Sequence, residues 1–542
     1  MKQTQKRWKN NRHYSEEEMA TARIVLHEIM EGDEVMKAVR RHPLQKGGYI
    51  AKHTLVAAYN QLIELGEIKQ DPGLLSKIRM KPIRSLSGVT TVTVLTKPHP
   101  CPGECIFCPD DEELPKSYLK LEPGAARAYE NEFDPYQQVA SRIASYEAIG
   151  HPTSKIELLI LGGSWTAYPE EYRAWFVQRC LDAMNEKESR SLEEAQKWNE
   201  EGKHRNVGLV VETRPDAITA QELASMRRMG VTKVQIGVQS FNDHILEINK
   251  RGHPTATSRR AAALLRAAGF KIVMHWMPNL LGATIAGDKE DFTKMWADGY
   301  SPDELKIYPT QLVENSALYQ YWLDGKFIPY TTQQLIDLIS DLKTSIPEYC
   351  RVNRIIRDIP ATYIVAGSKR SSLRQDVHRE MEKRGERCRC IRCREVRGKR
   401  VSEESLLLKD LVYRPNYTEE HFLNYSTTDD RLAGYLRLSF PDIENPESKE
   451  IHEEVNANIS ELEGCAIIRE LHIYGQSLQF GTEKKGAAQH AGLGSNLLEE
   501  AAQLARAKGY KKIAVISAIG TRKYYRERGF TGGNLYMIRS LE

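Results

Sequence analysis

Nowhere in the 542 residues is there an uninterrupted apolar run of about 18, the length a membrane-crossing helix needs. The first residues, MKQTQKRWKNNRHY, lack the apolar stretch of a secretion signal. Cysteine is scarce at nine residues, and six of the nine fall in two tight triplets, Cys101/Cys105/Cys108 and Cys388/Cys390/Cys393. Such clustering in a chain without an export signal argues against a disulfide framework and for bound metal. Excess charge of one sign is lacking too: 77 Lys and Arg face 73 Asp and Glu, a formal +4. The expectation is a soluble, cytoplasmic protein with no membrane partner, and the 41% apolar content is ample for buried cores.

The balanced total conceals local asymmetry. Residues 1–14 carry five Lys/Arg and no acid, and residues 351–400 carry 16 Lys/Arg against six acids. Solvated helix faces would account for either alone; two basic segments flanking a catalytic-looking region favour a polyanion such as RNA.

The length predicts three or four domains. Residues 1–80 read as a basic arm followed by a small helical domain, with Ser15 and the acids after it opening the first helix. Residues 81–345 alternate short apolar runs (88–96, 155–163, 206–213, 233–240, 271–278 and 304–310) with amphipathic helices. That rhythm predicts an α/β fold, a partial (β/α)6 barrel with its chemistry at the C-terminal ends of the strands. The charged stretch 185–205 reads as an exposed helical insertion without catalytic signal. Residues 346–400 form a basic, Cys-rich linker, and 401–542 switch to an α+β order that fits an acyl-CoA-binding, GNAT-like module.

The first triplet, Cys-x3-Cys-x2-Cys, directly follows the first barrel strand. Three thiolates leave one iron of a 4Fe-4S cluster open, because each iron needs its own external ligand. The open iron can chelate S-adenosylmethionine, whose reductive cleavage makes a 5′-deoxyadenosyl radical; a structural zinc site is the competing reading. Here the chain resembles the radical S-adenosylmethionine superfamily, with Phe107 in CIFC as the usual companion of the cysteines. LLILGGSW (158–165) looks like the family's second-strand motif, which implies that the Gly162 and Gly163 backbone contacts the cofactor. ETRPD (212–216) and GVQSFND (237–243) make Glu212, Arg214 and Gln239 candidate polar contacts to it, with a structural Glu–Arg pair as the alternative.

Near the C-terminus, QHAGLGSNLLEEA places Gln489, Gly492 and Gly494 in a Q-x-x-G-x-G loop opening an amphipathic helix, a cradle for a diphosphate. YYRERGF follows, where Tyr525 is placed to protonate a departing CoA thiolate; a core aromatic is the competing reading. With both halves in one chain, residues 75–542 resemble the catalytic Elongator subunit family, the tRNA carboxymethyluridine synthases, in their archaeal and bacterial single-protein form. That resemblance implies a reaction. The radical removes a hydrogen from the methyl of acetyl-CoA, the carbon radical adds to carbon 5 of the wobble uridine of tRNA, and thioester hydrolysis leaves a carboxymethyl group. It implies that Cys101, Cys105 and Cys108 hold the cluster and that Lys155 contacts acetyl-CoA from the barrel side. It places Glu470, Leu471, His472, Ile473, Leu493, Gly494, Ser495 and Tyr525 around the CoA. It further implies the anticodon stem-loop of tRNA as partner and an external reductant. The chain is expected to act as monomer or homodimer without obligate Elongator subunits. Eukaryotic relatives space the first two cysteines further apart, so a different loop geometry is expected here.

The second triplet resembles the zinc-bearing linker of prokaryotic members; Cys350 and His378 are both possible fourth ligands, and a second iron–sulfur cluster is the competing reading. Zinc there would present Arg387, Arg389, Arg392 and Arg394 to tRNA phosphates. The main rival function is a protein lysine acetyltransferase with a structural barrel. A radical RNA methylase or thiolase and a non-catalytic RNA-binding module are further alternatives.

Overall fold

The computed structural model describes residues 14–80, 88–397, 401, 405–415, 417–474 and 492–542. The N-terminal helices run Glu16–Glu31, Val35–Arg41, Lys52–Glu64 and Pro72–Ile78. Ser15 caps the first in a reciprocal box with Glu18, and Gly32 ends it in the left-handed region. Leu26, Ile29, Val56, Tyr59 and Leu62 close a small core of their own.

Seven strands then form one all-parallel sheet in chain order: β1 Thr90–Leu95, β2 Lys155–Leu161, β3 Arg205–Thr213, β4 Lys233–Gln239, β5 Lys271–Trp276, β6 Glu304–Ile307 and β7 Arg351–Ile355. Helices cross between them. The strands' outward faces are buried under the helices and their inward faces line a cavity, which is why the strands read as apolar runs broken by polar residues. In β2 the alternation is plain: Ile156, Leu158 and Ile160 pack outward, while Glu157, Leu159 and Leu161 line an inner cavity.

The six expected strands are all present, and β7 extends the sheet into the segment read as linker. Its RVNRI sequence hides it, because Arg351, Asn353 and Arg354 line the cavity, while Val352 and Ile355 pack into the core. The insertion also differs from its expectation. Helix Leu192–Asn199 buries Ala195, Gln196 and Asn199 against helix Glu170–Asn185, with Asn199 bridging Asn185 and the β3 entry.

The C-terminal sheet comprises β8 Leu406–Tyr413, β9 Thr418–Thr427, β10 Leu432–Pro441, β11 Cys465–Ile473, β12 Lys512–Val515, β13 Thr531–Gly532 and β14 Met537–Ser540, ordered β8-β9-β10-β11-β12-β14-β13. All pairs are antiparallel except β11–β12, which the helix Leu493–Ala507 connects. Helical spacing marks Leu497, Leu498, Ala501, Leu504 and Ala505 as the apolar stripe of that helix; Leu504 is half-buried and the other four are buried.

This sheet sits at the N-terminal ends of the barrel strands, and buried charge joins the two. Asp303, fully enclosed before β6, accepts from Arg469 of β11 at 2.7 and 2.8 Å and faces Arg437 of β10 at 3.4 Å. Glu470 takes Lys271 and Arg437 (3.0 Å), Lys271 reaches Glu304, and Lys233 links Glu304 to Glu157 at 3.2 and 2.7 Å. Charges removed from water this completely stay ionised only because each has a partner.

Candidate active site

A single cavity of about 1850 Å³ runs from the cysteine loop at the C-terminal ends of the strands, through the barrel, to the acetyltransferase-like sheet. Cys101, Cys105 and Cys108 stand at its upper end and Leu471, His472 and Tyr525 at its lower end.

The cysteine loop has no regular structure and is held by its backbone. Ile106 N–H donates to Asn249 O at 3.2 Å, Leu318 N–H to Ile106 O at 2.8 Å, and Asp110 N–H to Asn315 O at 3.0 Å. Phe107 packs beside Ile106, Leu281 and Phe327. The three thiols are free and half-buried. Burial and the neighbouring Cys105 push the Cys108 thiol up to about 12 against the pull of Arg357 and Lys116, so iron binding must displace its proton. Three thiols on one cavity wall with cations behind them suit a cluster whose irons each take one cysteine.

Gly162 and Gly163 turn the chain at the end of β2 with φ of +130° and +86°. A Cβ at Gly162 would stand 2.0 Å from Thr96 Oγ1, so the backbone comes as close to β1 as it can. Gln239 adopts φ +73° and its enclosed Oε1 has no partner among the described residues, an acceptor aimed at what the cavity holds. Glu212 also lines the cavity, 4.0 Å from His275 Nδ1. Burial, with Lys306 nearby, holds His275 well below the ordinary histidine value. Arg214, expected beside Glu212, is engaged elsewhere: it forks onto Asp216, donates to Arg251 O at 2.9 Å, and directs Nη1 at Cys105 Sγ, 4.0 Å away.

At the lower end the structure brings most of the expected acetyl-CoA residues together. Glu470 lies in the buried charge network, where Lys271 and Arg437 outweigh burial and hold its carboxyl far below the usual range; Tyr435 also donates to it at 2.7 Å. Its carboxylate is committed to Lys271, Arg437 and Tyr435. Burial pushes His472 down to about 4, and its Nε2 is enclosed without a partner among the described residues. Helix Leu493–Ala507 begins beside β11, with Gly492 at φ +71° before it. A Cβ at Gly494 would stand 2.5 Å from Tyr524 Oη, and Ser495 Oγ meets Arg528 Nε at 3.0 Å. Gln489 lies outside the described residues. Tyr525 is buried on helix Arg522–Arg526, and enclosure raises its phenol well above the ordinary value, keeping the proton on. Lys155 opens β2 on the face shared with Glu157, Leu159 and Leu161, just beyond the cavity lining. Burial, then Arg205, push its ammonium below the ordinary lysine value.

Sequence reasoning missed the residues that hold Tyr525. Glu200 receives Arg522 at 3.1 Å and Arg526 at 2.6 Å, and Glu201 receives Lys523 at 3.0 Å, so the insertion carries the tyrosine's helix. It also missed Arg251 and Arg357, which approach the cysteine loop from distant segments; no local spacing marks either.

In the linker, the sulfurs of Cys388, Cys390 and Cys393 lie within 4.8 Å of one another, the one such group among the described residues. Thiolates on a single tetrahedral zinc stand about 3.8 Å apart, so a small inward movement closes the site. Of the two fourth-ligand candidates, His378 places Nε2 4.0 Å from Cys393 Sγ, and Cys350, as fully buried as Cys390, has its thiol pushed up by burial and then by the nearby Cys390. The expected display of arginines is narrower than foreseen: Arg387, Arg389 and Arg394 converge on Asp430, and Arg394 is buried.

Family models match in two blocks, the Radical SAM superfamily over residues 99–289 and the Radical_SAM C-terminal domain over 302–383. The tRNA uridine(34) acetyltransferase of Methanocaldococcus infernus is 42% identical over 86% of this chain and 88% of that one. The chain belongs to the Elongator complex protein 3 family. The tRNA uridine(34) acetyltransferase of Dehalococcoides mccartyi is 40% identical over 85% of this chain and 99% of that protein, and human Elongator complex protein 3 is 34% identical over 86% and 87%. The structure of the archaeal M. infernus Elp3 with an N-terminal deletion (1–46) matches at TM-score 0.71 and 38% identity, covering 84% of this chain and 99% of that one. As an Elongator complex protein 3 relative, the chain is a radical SAM enzyme, and the superfamily match spans the cysteine loop and β2 through β5.

Proposed function

We propose that the chain is a tRNA uridine(34) acetyltransferase that makes carboxymethyluridine with a 4Fe-4S cluster, S-adenosylmethionine and acetyl-CoA. The observation that carries this reading is the continuous cavity, whose lining includes both the cysteine loop and Tyr525. When bound, cluster and S-adenosylmethionine supply a one-electron cleavage that generates a hydrogen-abstracting adenosyl radical.

The chain's own residues do the rest. Cys101, Cys105 and Cys108 hold the cluster, and the Gly162–Gly163 turn, Glu212 and Gln239 hold the sulfonium cofactor beneath it. Residues 470–473 and the Leu493–Ser495 helix start receive the CoA thioester and diphosphate, where a helix N-terminus favours negative charge. Lys155 adds a cation at the lower mouth. Water attacks the thioester carbonyl, and Tyr525, kept neutral by burial, donates its proton to the departing CoA thiolate. The barrel wall shields the acetyl carbon from bulk solvent on one side until a base arrives. The substrate base is a splayed anticodon uridine. Zinc on Cys388, Cys390, Cys393 and His378 fixes the basic linker that faces tRNA. The protein acts in the cytoplasm with an external electron donor, as a monomer or homodimer; no helix among the described residues is long and apolar enough to cross a membrane.

Anaerobically reconstituted protein is given tRNA, S-adenosylmethionine, reductant and isotope-labelled acetyl-CoA, and the tRNA nucleosides are read by mass spectrometry. Label is expected as carboxymethyl on uridine and is expected to vanish in Cys105→Ala. Label on protein amines with untouched nucleosides would replace this reading with a lysine acetyltransferase.

A further inference from the structure

Arg251 sits between helix Asp243–Ile248 and helix Thr255–Ala267, is 4% exposed, and reaches the cysteine loop from behind. Its Nη2 donates to Gly237 O at 2.5 Å and its Nη1 to Cys105 Sγ at 3.5 Å. Among the described residues no carboxylate pairs with it, and its Nε is enclosed without a partner. A guanidinium always carries its charge, so one buried this deeply needs a negative partner. The sulfur of Cys105 is the group offered, and as a thiolate it is that partner.

Arg214 completes the arrangement. Its Nη2 donates to the Arg251 carbonyl at 2.9 Å, Asp216 locks its Nε and Nη2, and Nη1 points at the same sulfur. Glycine clears the room. A Cβ at Gly103, two residues before Cys105, would stand 2.1 Å from Arg214 Nη1, and one at Gly237 3.3 Å from Arg251 Nη2.

We infer that Arg251, braced by Arg214, raises the reduction potential of the cluster by donating to the Cys105 thiolate. The inference rests on the iron–sulfur reading above. One-electron reduction makes the cluster more negative without changing its ligands, and hydrogen bonds and positive charge at a ligating sulfur favour that state. Both arginines are positioning residues that act through Cys105. The sequence expectation had Arg214 on the sulfonium cofactor; the geometry gives it to the sulfur instead.

The test is a potentiometric titration of reconstituted wild type, Arg251→Gln, Arg251→Lys and Gly103→Ala, using dithionite and mediator dyes and followed by the electron-spin signal of the reduced cluster. No S-adenosylmethionine is added. Iron and sulfide per chain are measured alongside. Arg251→Gln is expected to disfavour reduction at least tenfold, a shift of about 59 mV to lower potential for one electron. Arg251→Lys keeps the charge and is expected to shift less. Gly103→Ala displaces Arg214 with no change in charge and is expected to shift downward too. A loaded Arg251→Gln cluster titrating with wild type overturns the inference and leaves the cluster reading intact. Should Arg251→Gln fail to load, unshifted potentials in Arg251→Lys and Gly103→Ala overturn it in the same way. Wild type that takes up no iron–sulfur cluster overturns both.

Discussion

Replacing Glu200 by Gln should slow acetyl-CoA turnover although the residue lies on the insertion, outside the cavity lining. Tyr525 rides on a five-residue helix, too short to hold itself. Two of its arginines, one turn apart, grip one carboxylate: Glu200 is 16% exposed, against 22% for Arg522 and 44% for Arg526. Partly exposed ion pairs each contribute about 0.2–1 kcal/mol, so the shared carboxylate holds the helix by about 0.4–2 kcal/mol. If that energy maintains the productive placement of the Tyr525 hydroxyl, its loss lowers kcat by about 2–30-fold. The assay is tRNA-dependent CoA release by wild type, Glu200→Gln and Glu201→Gln, with Tm recorded for each. Glu201 is 68% exposed, and its variant should stay within about twofold of wild type. Tm should move by no more than about 2 °C in either. Wild-type kcat in Glu200→Gln, or an equal fall in Glu201→Gln, would refute the claim that the insertion positions Tyr525.

Four further outcomes are expected. Tyr525→Phe removes the proton donor and should lower CoA release about 10²-fold, with acetyl-CoA affinity by calorimetry largely kept. Asp303→Asn takes one of two carboxylate partners from both Arg469, which keeps Glu420, and Arg437, which keeps Glu470, and should cost up to about 3–5 kcal/mol in urea unfolding. Although burial raises the Asp303 carboxyl, Arg469 and Arg437 outweigh it and hold it far below the usual range. Its contribution is therefore complete above the unfolded value of about 4 and lost only as pH falls through the depressed folded one. The Asp303→Asn deficit should accordingly stay flat from about pH 5 to 9 and shrink in strong acid. Gly162→Ala drives a methyl into Thr96 and should abolish S-adenosylmethionine binding while iron content is retained, as read by equilibrium dialysis. His378→Ala should purify with substoichiometric zinc by metal analysis, and Cys350→Ala with the full complement.

What was legible in the chain followed from local repetition. In β1 to β6 the buried outward faces leave enough apolar residues in alternation or in runs to stand out. β7 turns Arg351, Asn353 and Arg354 toward the cavity, which leaves only Val352 and Ile355 as a signal. The Gly-rich loop and the two cysteine triplets are contiguous, and contiguity is what a spacing argument reads. Gln489, read from the same loop, lies outside the described residues. Arg214 was legible in ETRPD as a candidate cofactor contact, but only the fold shows that the Asp216 fork turns it toward Cys105. The charged stretch 185–205 looked like a solvated face because its acids meet their arginines more than 300 residues away.

The amino-acid order alone determined that three thiols stand together after a barrel strand, that a diphosphate-sized glycine turn opens a late helix, and that both lie in one chain. Those are short-range features, set by residues a few positions apart. Only the tertiary structure decided that the cysteine loop shares a cavity with Leu471, His472 and Tyr525, that Asp303, Arg469, Arg437 and Glu470 lock one sheet under the other, and that Arg251 stands behind Cys105. Each of these depends on burial, which removes water as the alternative partner and makes distant charges answer to one another; burial is a property of the folded chain that no local spacing encodes.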